Sequence, residues 1–254
     1  MAWNPETYNK FKSERFAPFY DLLDLVKVKP GLQVIDLGCG TGELTRKLAD
    51  KLPDSQVFGI DSSSEMLIEY EAYEKTHLSF AQRSIEAQME ISQQWDLVFS
   101  NAAIQWVNNH HELIPTIVSK VRSGGQLVIQ LPAQHHNISN QMLNELAAEE
   151  PFRSALNGWT RTSPVLDIED YAQLLFEGRC RTMTVFEKIY PLVLQDANAL
   201  FDWVSGTAMI PYIEKLEGDL RENFTSEYKN RLAARFTKCP VFYPFKRIIL
   251  EASI

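Results

Sequence analysis

The chain has 254 residues, 45% of them apolar and 23% charged, with a formal net charge of −8. That is enough apolar chain to bury a real core, in one large domain or a core with a small cap. The acidic balance without a basic stripe excludes the electrostatic footprint of a nucleic-acid binder, and no apolar run is long enough to span a membrane.

Residues 1 to 30 are expected to precede the core. Trp3-Asn4-Pro5 reads as a turn, and Tyr8, Phe11, Arg15, Phe19 and Leu22 recur at helical spacing to about Val26. Such a helix is either packing laid over the core or a lid over a ligand. Gln33 to Leu37 is an apolar run and is predicted as a buried parallel strand. Glu43 to Lys51 is predicted as a helix with Leu44, Leu48 and Leu52 on one face. Between them stand Gly38, Gly40 and Gly42. A second strand is predicted over Gln56 to Ile60, ending in Asp61. Ser62, Ser63 and Ser64 are expected to cap a helix running to about Glu74.

His77 to Ala81 and Trp95 to Ser100 are predicted as the third and fourth strands. His110 to Val121 reads as a helix and Gln126 to Leu131 as the fifth strand. After Ile138 the strand–helix alternation stops being regular. Helices are predicted over Gln141 to Glu149, Leu166 to Phe176, Asp196 to Thr207, Pro211 to Leu216 and Glu222 to Phe236. Strands are predicted over Arg181 to Leu192 and Phe242 to Ala252. Segments 1–30, 138–165 and 196–236 are thus expected as cap segments on one domain spanning residues 1–254.

Strand, glycine turn and helix together make a binding site for the polar end of a ligand, because free N–H groups collect at the helix start. A dinucleotide fingerprint needs a third glycine three residues after the second. That position is Glu43 counted from Gly38 and Thr45 counted from Gly40, so neither register fits. No Gly-Lys-Ser/Thr follows, so a P-loop does not fit either. S-adenosylmethionine (SAM) carries no phosphate. Asp36 at the strand end suits its ammonium, directly or through water. Asp61, about twenty residues past the glycines, suits a ribose diol. A nucleotide-type fold with another ligand remains the alternative.

Asp36-Leu37-Gly38-Cys39-Gly40-Thr41-Gly42 with Gly59-Ile60-Asp61 resembles the class I SAM-dependent methyltransferases. The resemblance implies an α/β, Rossmann-like fold: a mostly parallel seven-stranded sheet with helices on both faces and a helical cap. It implies cofactor contacts from Asp36, Gly38, Cys39, Gly40, Gly42, Asp61, Ser62, Met66, Ser84, Ile85, Asn101, Ala102, Gln105 and Trp106. Ser84 stands where the family often has an acidic residue for the adenine amino group, so that contact is expected to be weaker.

A narrower resemblance runs from end to end. Trp3-Asn4-Pro5, Glu14-Arg15, Ser100-Asn101-Ala102, Gln105-Trp106-Val107 and Asp202-Trp203-Val204 are similar to the trans-aconitate methyltransferases. This implies methyl-ester formation on a small carboxylic acid. The Asn101 to Trp106 stretch is also similar to malonyl-carrier-protein O-methyltransferases, and a SAM-binding protein without catalysis is the reading from another class. Ile210 stands where the aconitate family tends to have arginine, so a tricarboxylate is expected to be a poorer substrate.

A carboxylate is ionised at neutral pH and needs no general base. Catalysis then rests on alignment, with Tyr8, Arg15, Trp106, Trp203 and Tyr212 as positioning candidates. Arg153, Arg161 and Arg247 are weaker candidates for holding substrate charge. No metal is expected: adjacent histidines at 110–111 and 135–136 are predicted to point apart, and the three cysteines are scattered. A cytoplasmic monomer acting on a small molecule, with no nucleic-acid or membrane partner, is the expectation.

Overall fold

The computed structural model describes residues 12–68 and 70–254, with side chains from Phe16 onward. Trp3, Asn4, Pro5 and Tyr8 lie outside the described residues, as does the side chain of Arg15. The chain forms helix α1 (Lys12–Asp24), β1 (Gln33–Leu37), α2 (Glu43–Lys51), β2 (Gln56–Asp61), β3 (Leu78–Gln82), α3 (Ile85–Glu90), β4 (Trp95–Asn101), α4 (His110–Ser119) and β5 (Val121–Pro132). There follow α5 (Ile138–Ala147), α6 (Phe152–Ala155), α7 (Ile168–Glu177), β6 (Thr182–Leu194), α8 (Ala197–Ser205), α9 (Ile210–Ile213), α10 (Gly218–Arg235) and β7 (Val241–Ser253).

The strands make a seven-stranded sheet in the order β3-β2-β1-β4-β5-β7-β6. β1 pairs in parallel with β2 and β4, β2 with β3 and β4 with β5, whereas β7 runs antiparallel to β5. The chain therefore moves outward from β1 to β3, then returns to start β4 on the other side of β1. Open sheets of this kind bind ligands beyond the carboxyl ends of the strands at that reversal.

Two compact units divide the chain. Pro18–Pro132, Pro164–Lys188 and Arg247–Ile254 form the sheet unit. Ala133–Ser163 and Ile189–Lys246 belong to the helical unit. The sheet unit has a core in which Phe19, Leu22 and Val26 join Val34, Leu48, Val57, Leu97, Phe99, Val128 and Ile249. Four consecutive residues of β1, Val34–Leu37, are buried, as a strand covered on both faces requires. The helical unit has its own core around Leu143, Leu200, Trp203, Tyr212, Phe224, Tyr228 and Leu232. Of the expected cap segments, 138–163 and 196–236 belong to the helical unit, and residues 18–30 belong to the sheet unit.

Three expectations are corrected. The predicted helix from Ser62 to Glu74 is absent; the described part of that segment is turns and one short 3-10 helix, Tyr70–Ala72. Ser63 Oγ accepts from Met66 N at 3.2 Å and donates to Glu65 Oε2 at 2.8 Å, and such local bonds compete with helical ones. The fifth strand begins at Val121, not Gln126. Its pairing jumps from Trp95↔Val121 to Leu97↔Gln126, so the glycines at 124 and 125 form a bulge inside the strand. His135 and His136 do not point apart: on a 3-10 turn their rings lie 4.1 Å apart, edge to face.

Candidate active site

The carboxyl ends of β1 and β4 are tied together. Ser100 Oγ, fully buried, donates to the carbonyl of Leu37 at 2.7 Å. Past that point the chain turns through Gly38 (φ 80°), Gly40 (φ 57°) and Gly42 (φ 87°) into α2. A Cβ on Gly38 would stand 2.1 Å from Ala103 Cβ, and one on Gly42 would stand 2.8 Å from the Phe80 ring. At these two positions glycine is required both by the left-handed backbone and by protein packed against it.

Asp36 is almost fully buried. Its Oδ2 accepts from Thr45 Oγ1 at 2.6 Å, while its Oδ1 is buried with no hydrogen-bond partner among the described residues. Burial pushes the carboxyl up to about 7; the Thr45 hydroxyl opposes that shift and the Asp61 charge adds to it. An unpartnered carboxylate oxygen in such a place costs free energy that a cationic donor would recover. The Cys39 thiol is held far above its ordinary value by burial and by both carboxylates, so it is no nucleophile.

Asp61 is half-buried at the end of β2. Its Oδ2 accepts from Gly40 N at 2.9 Å and its Oδ1 from Ser63 N at 3.0 Å. Each oxygen keeps a further lone pair, enough to accept from two hydroxyls. The same contacts lock the glycine turn to the β2 end. Met66 reaches toward Gly40, and Phe80 packs against Gly42 and Gly59. Ser84 caps α3, its Oγ accepting from Ala87 N at 3.2 Å, so its acceptor capacity is already shared. Ile85 beside it is buried.

Beyond β4, Ala102 holds a left-handed backbone (φ 56°), unusual for a residue with a Cβ. Gln105 is buried; its Nε2 donates to the Ala102 carbonyl at 2.7 Å, while its Oε1 has no partner among the described residues. Trp106, at 53% exposed, is neither core nor enclosed. His110 is also buried, one ring nitrogen bonded to Tyr171 Oη and the other to the Ile104 carbonyl at 2.9 Å, which holds the 104–106 turn.

Asp36, the glycines, Cys39, Asp61, Ser62, Met66, Ser84, Ile85, Asn101, Ala102, Gln105 and Trp106 all belong to the sheet unit. Trp203 and Tyr212 belong to the helical unit and are packed in its core. Tyr212 Oη donates to Asn144 Oδ1 and accepts from Arg161 N at 3.2 Å, and its ring stacks on Phe224. Trp203 meets Phe245 edge to face. Both therefore have packing roles that sequence alone did not separate from positioning roles. Arg153 pairs with Glu150 at the surface.

Thr45, Phe80 and His110 escaped the sequence reading as site residues. The available hint for Thr45 was a polar residue one position after Leu44, on the apolar side of a helix.

The polar groups fit SAM: a buried carboxylate oxygen without a partner among the described residues for an ammonium, and a second carboxylate for a diol. The same pair of carboxylates disfavours a pyrophosphate.

A family model described as a methyltransferase domain matches residues 28–175. The chain is 40% identical to a trans-aconitate 2-methyltransferase of Deinococcus radiodurans, covering 100% of this chain and 98% of that protein. It is 32% identical to a trans-aconitate 2-methyltransferase of Variovorax paradoxus, covering 98% and 95%. Its fold is similar to that of a Haemonchus contortus phosphoethanolamine N-methyltransferase solved with S-adenosylhomocysteine. The TM-score there is 0.57 at 16% identity, over 95% of this chain and 52% of that one.

Proposed function

The chain belongs to the trans-aconitate 2-methyltransferase family, and from that premise we propose that it moves the SAM methyl group onto a carboxylate oxygen of a small organic acid, trans-aconitate first. The observation that carries the cofactor half is Asp36 Oδ1, buried at the end of β1 and without a partner among the described residues. When bound, SAM supplies an electrophilic methyl on its sulfonium.

The chain's own residues bind and orient. Asp36 takes the ammonium and is drawn to its ionised form by it. Asp61 takes the ribose diol while fixing Gly40 and Ser63. The 101–106 turn, strained at Ala102 and held by Gln105 and His110, faces the reacting groups. No proton has to be removed, because the acceptor is already an anion at neutral pH. Holding the carboxylate oxygen in line is then the main task.

Labelled methyl transfer across a panel of di- and tricarboxylates tests the reading. A base-labile monomethyl ester is the expected product. Ile210, half-buried at the start of α9, replaces the arginine that the family resemblance implies. Ile210→Arg should therefore favour tricarboxylates over dicarboxylates. Transfer to an amine, a nucleic acid or a protein alone, or to no acid in the panel, would end the proposal.

A further inference from the structure

Arg247 is a buried arginine on β7, two residues from Ile249, the register partner of Gln130 on β5. Gln130 is in turn the register partner of Asn101, the last residue of β4. Arg247 Nη1 donates to Gln130 Oε1 at 2.9 Å, and Gln130 Nε2 donates to Asn101 Oδ1 at 2.7 Å. Gln130 itself is buried.

The direction of this relay follows from chemistry. A guanidinium has donors only, so the Gln130 atom facing it must be the carbonyl oxygen. The Gln130 amide nitrogen therefore faces Asn101, and only the Asn101 oxygen can accept from it. That leaves Asn101 Nδ2, on a half-buried residue at the carboxyl end of β4, with N–H groups that Gln130 does not engage. Among the described residues no acceptor takes them.

An isolated asparagine presents its oxygen or its nitrogen with little preference. Here the charge of Arg247, relayed through one amide, selects the nitrogen. A donor at the ligand end of a central strand suits an anionic oxygen, whereas a flipped amide would set a lone pair against it.

We propose that Arg247 and Gln130 are positioning residues that hold Asn101 as a hydrogen-bond donor to a ligand carboxylate. That carboxylate belongs either to the acceptor acid or to the amino-acid end of the cofactor. The inference rests on the methyltransferase reading above.

Gln130→Glu reverses the relay without touching ligand. Its carboxylate accepts from Arg247 and also from Asn101, which must then turn its nitrogen inward and its oxygen outward. The expected effect is a loss of about tenfold or more, typical of a hydrogen bond to a charged group. If the acceptor acid is the partner, KM for the acid rises while the Kd of S-adenosylhomocysteine is unchanged. If the cofactor is the partner, S-adenosylhomocysteine weakens while 5′-methylthioadenosine, which lacks the amino-acid end, does not. Asn101→Asp places an anion outward, should give the same split, and serves if the first variant fails to fold.

Unchanged KM and Kd in a folded variant would overturn the proposal. So would equal weakening of both adenosine ligands, which marks general distortion. If the wild-type protein methylates no acid, the proposed function fails; the relay then stands only if S-adenosylhomocysteine alone weakens, and unchanged Kd for both adenosine ligands overturns it.

Discussion

In the helical unit, three buried tyrosine hydroxyls find partners within the unit. Tyr212 donates to Asn144, Tyr228 donates to the Ser139 carbonyl, and Tyr243 bonds Ser139 Oγ. In the sheet unit, around the ends of β1 and β4, Asp36 Oδ1 and Gln105 Oε1 are buried without partners among the described residues, and Ala102 sits in a left-handed conformation. Satisfied polar groups specify one packing. Unsatisfied ones and strained backbone persist where something else is to be bound. The contrast assigns scaffolding to the first set and ligand recognition to the second.

The largest expected effect breaks the scaffold and leaves recognition alone. Phe224 is fully buried between Tyr212 and Phe152. Phe224→Ala should lower unfolding free energy by about 3–5 kcal/mol in denaturant titration. Measured well below its midpoint, it should keep the wild-type Kd for S-adenosylhomocysteine. A tenfold weaker Kd in the folded variant would erase the distinction.

Asp61→Ala should do the reverse. It removes the acceptor offered to the ribose and frees Gly40 and Ser63, so calorimetry should register a loss of about 1.5–3 kcal/mol in affinity. An unchanged affinity would mean that Asp61 only braces the turn.

Tyr212→Phe sharpens the same line. Removing the hydroxyl should cost about 1 kcal/mol of stability. KM for the acid should stay within about twofold, since the hydroxyl is engaged by Asn144 and Arg161. A large rise in KM with no stability change would restore it as a substrate contact.

A further prediction concerns protons at Asp36. Its folded value, about 7, lies above the ordinary 3.8, so the folded free protein holds a proton there that the unfolded chain has lost. The stability tied to that proton is complete below about pH 4 and disappears as pH rises through about 7. Asp36→Asn should flatten this slope. Binding of an ammonium stabilises the ionised form, so ligand binding near pH 6 should release a fraction of a proton. Titrations in two buffers of different ionisation enthalpy would measure it; no release, or uptake, would contradict the assignment of Asp36.

The sheet unit was largely legible in the sequence because its signals are local. β1 and α2 lie where the apolar run and helical spacing put them, and the glycines between them mark the turn. The segment after Asp61 misled, since serines that look like helix caps bond one another's neighbours instead. Gly124 and Gly125 read as the end of a connection, yet they form a bulge whose partners sit on a distant strand. In the site, Asp36 and Asp61 could be named from their places after strands. Thr45 could not, because its bond to Asp36 depends on how α2 docks. Trp203 and Tyr212 looked like donors for the same reason: an aromatic with a polar tip looks alike in sequence whether its tip meets a ligand or a neighbour such as Asn144.

Hydrogen exchange with and without S-adenosylhomocysteine tests the central contrast most directly, because it reports on every part of the chain at once. The account predicts slowed exchange at amides of 38–42, 61–66 and 101–106: the glycine turn that follows Asp36, the Asp61 end of β2, and the turn that carries Ala102 and Gln105. Unchanged exchange in all three segments under saturating ligand would contradict it.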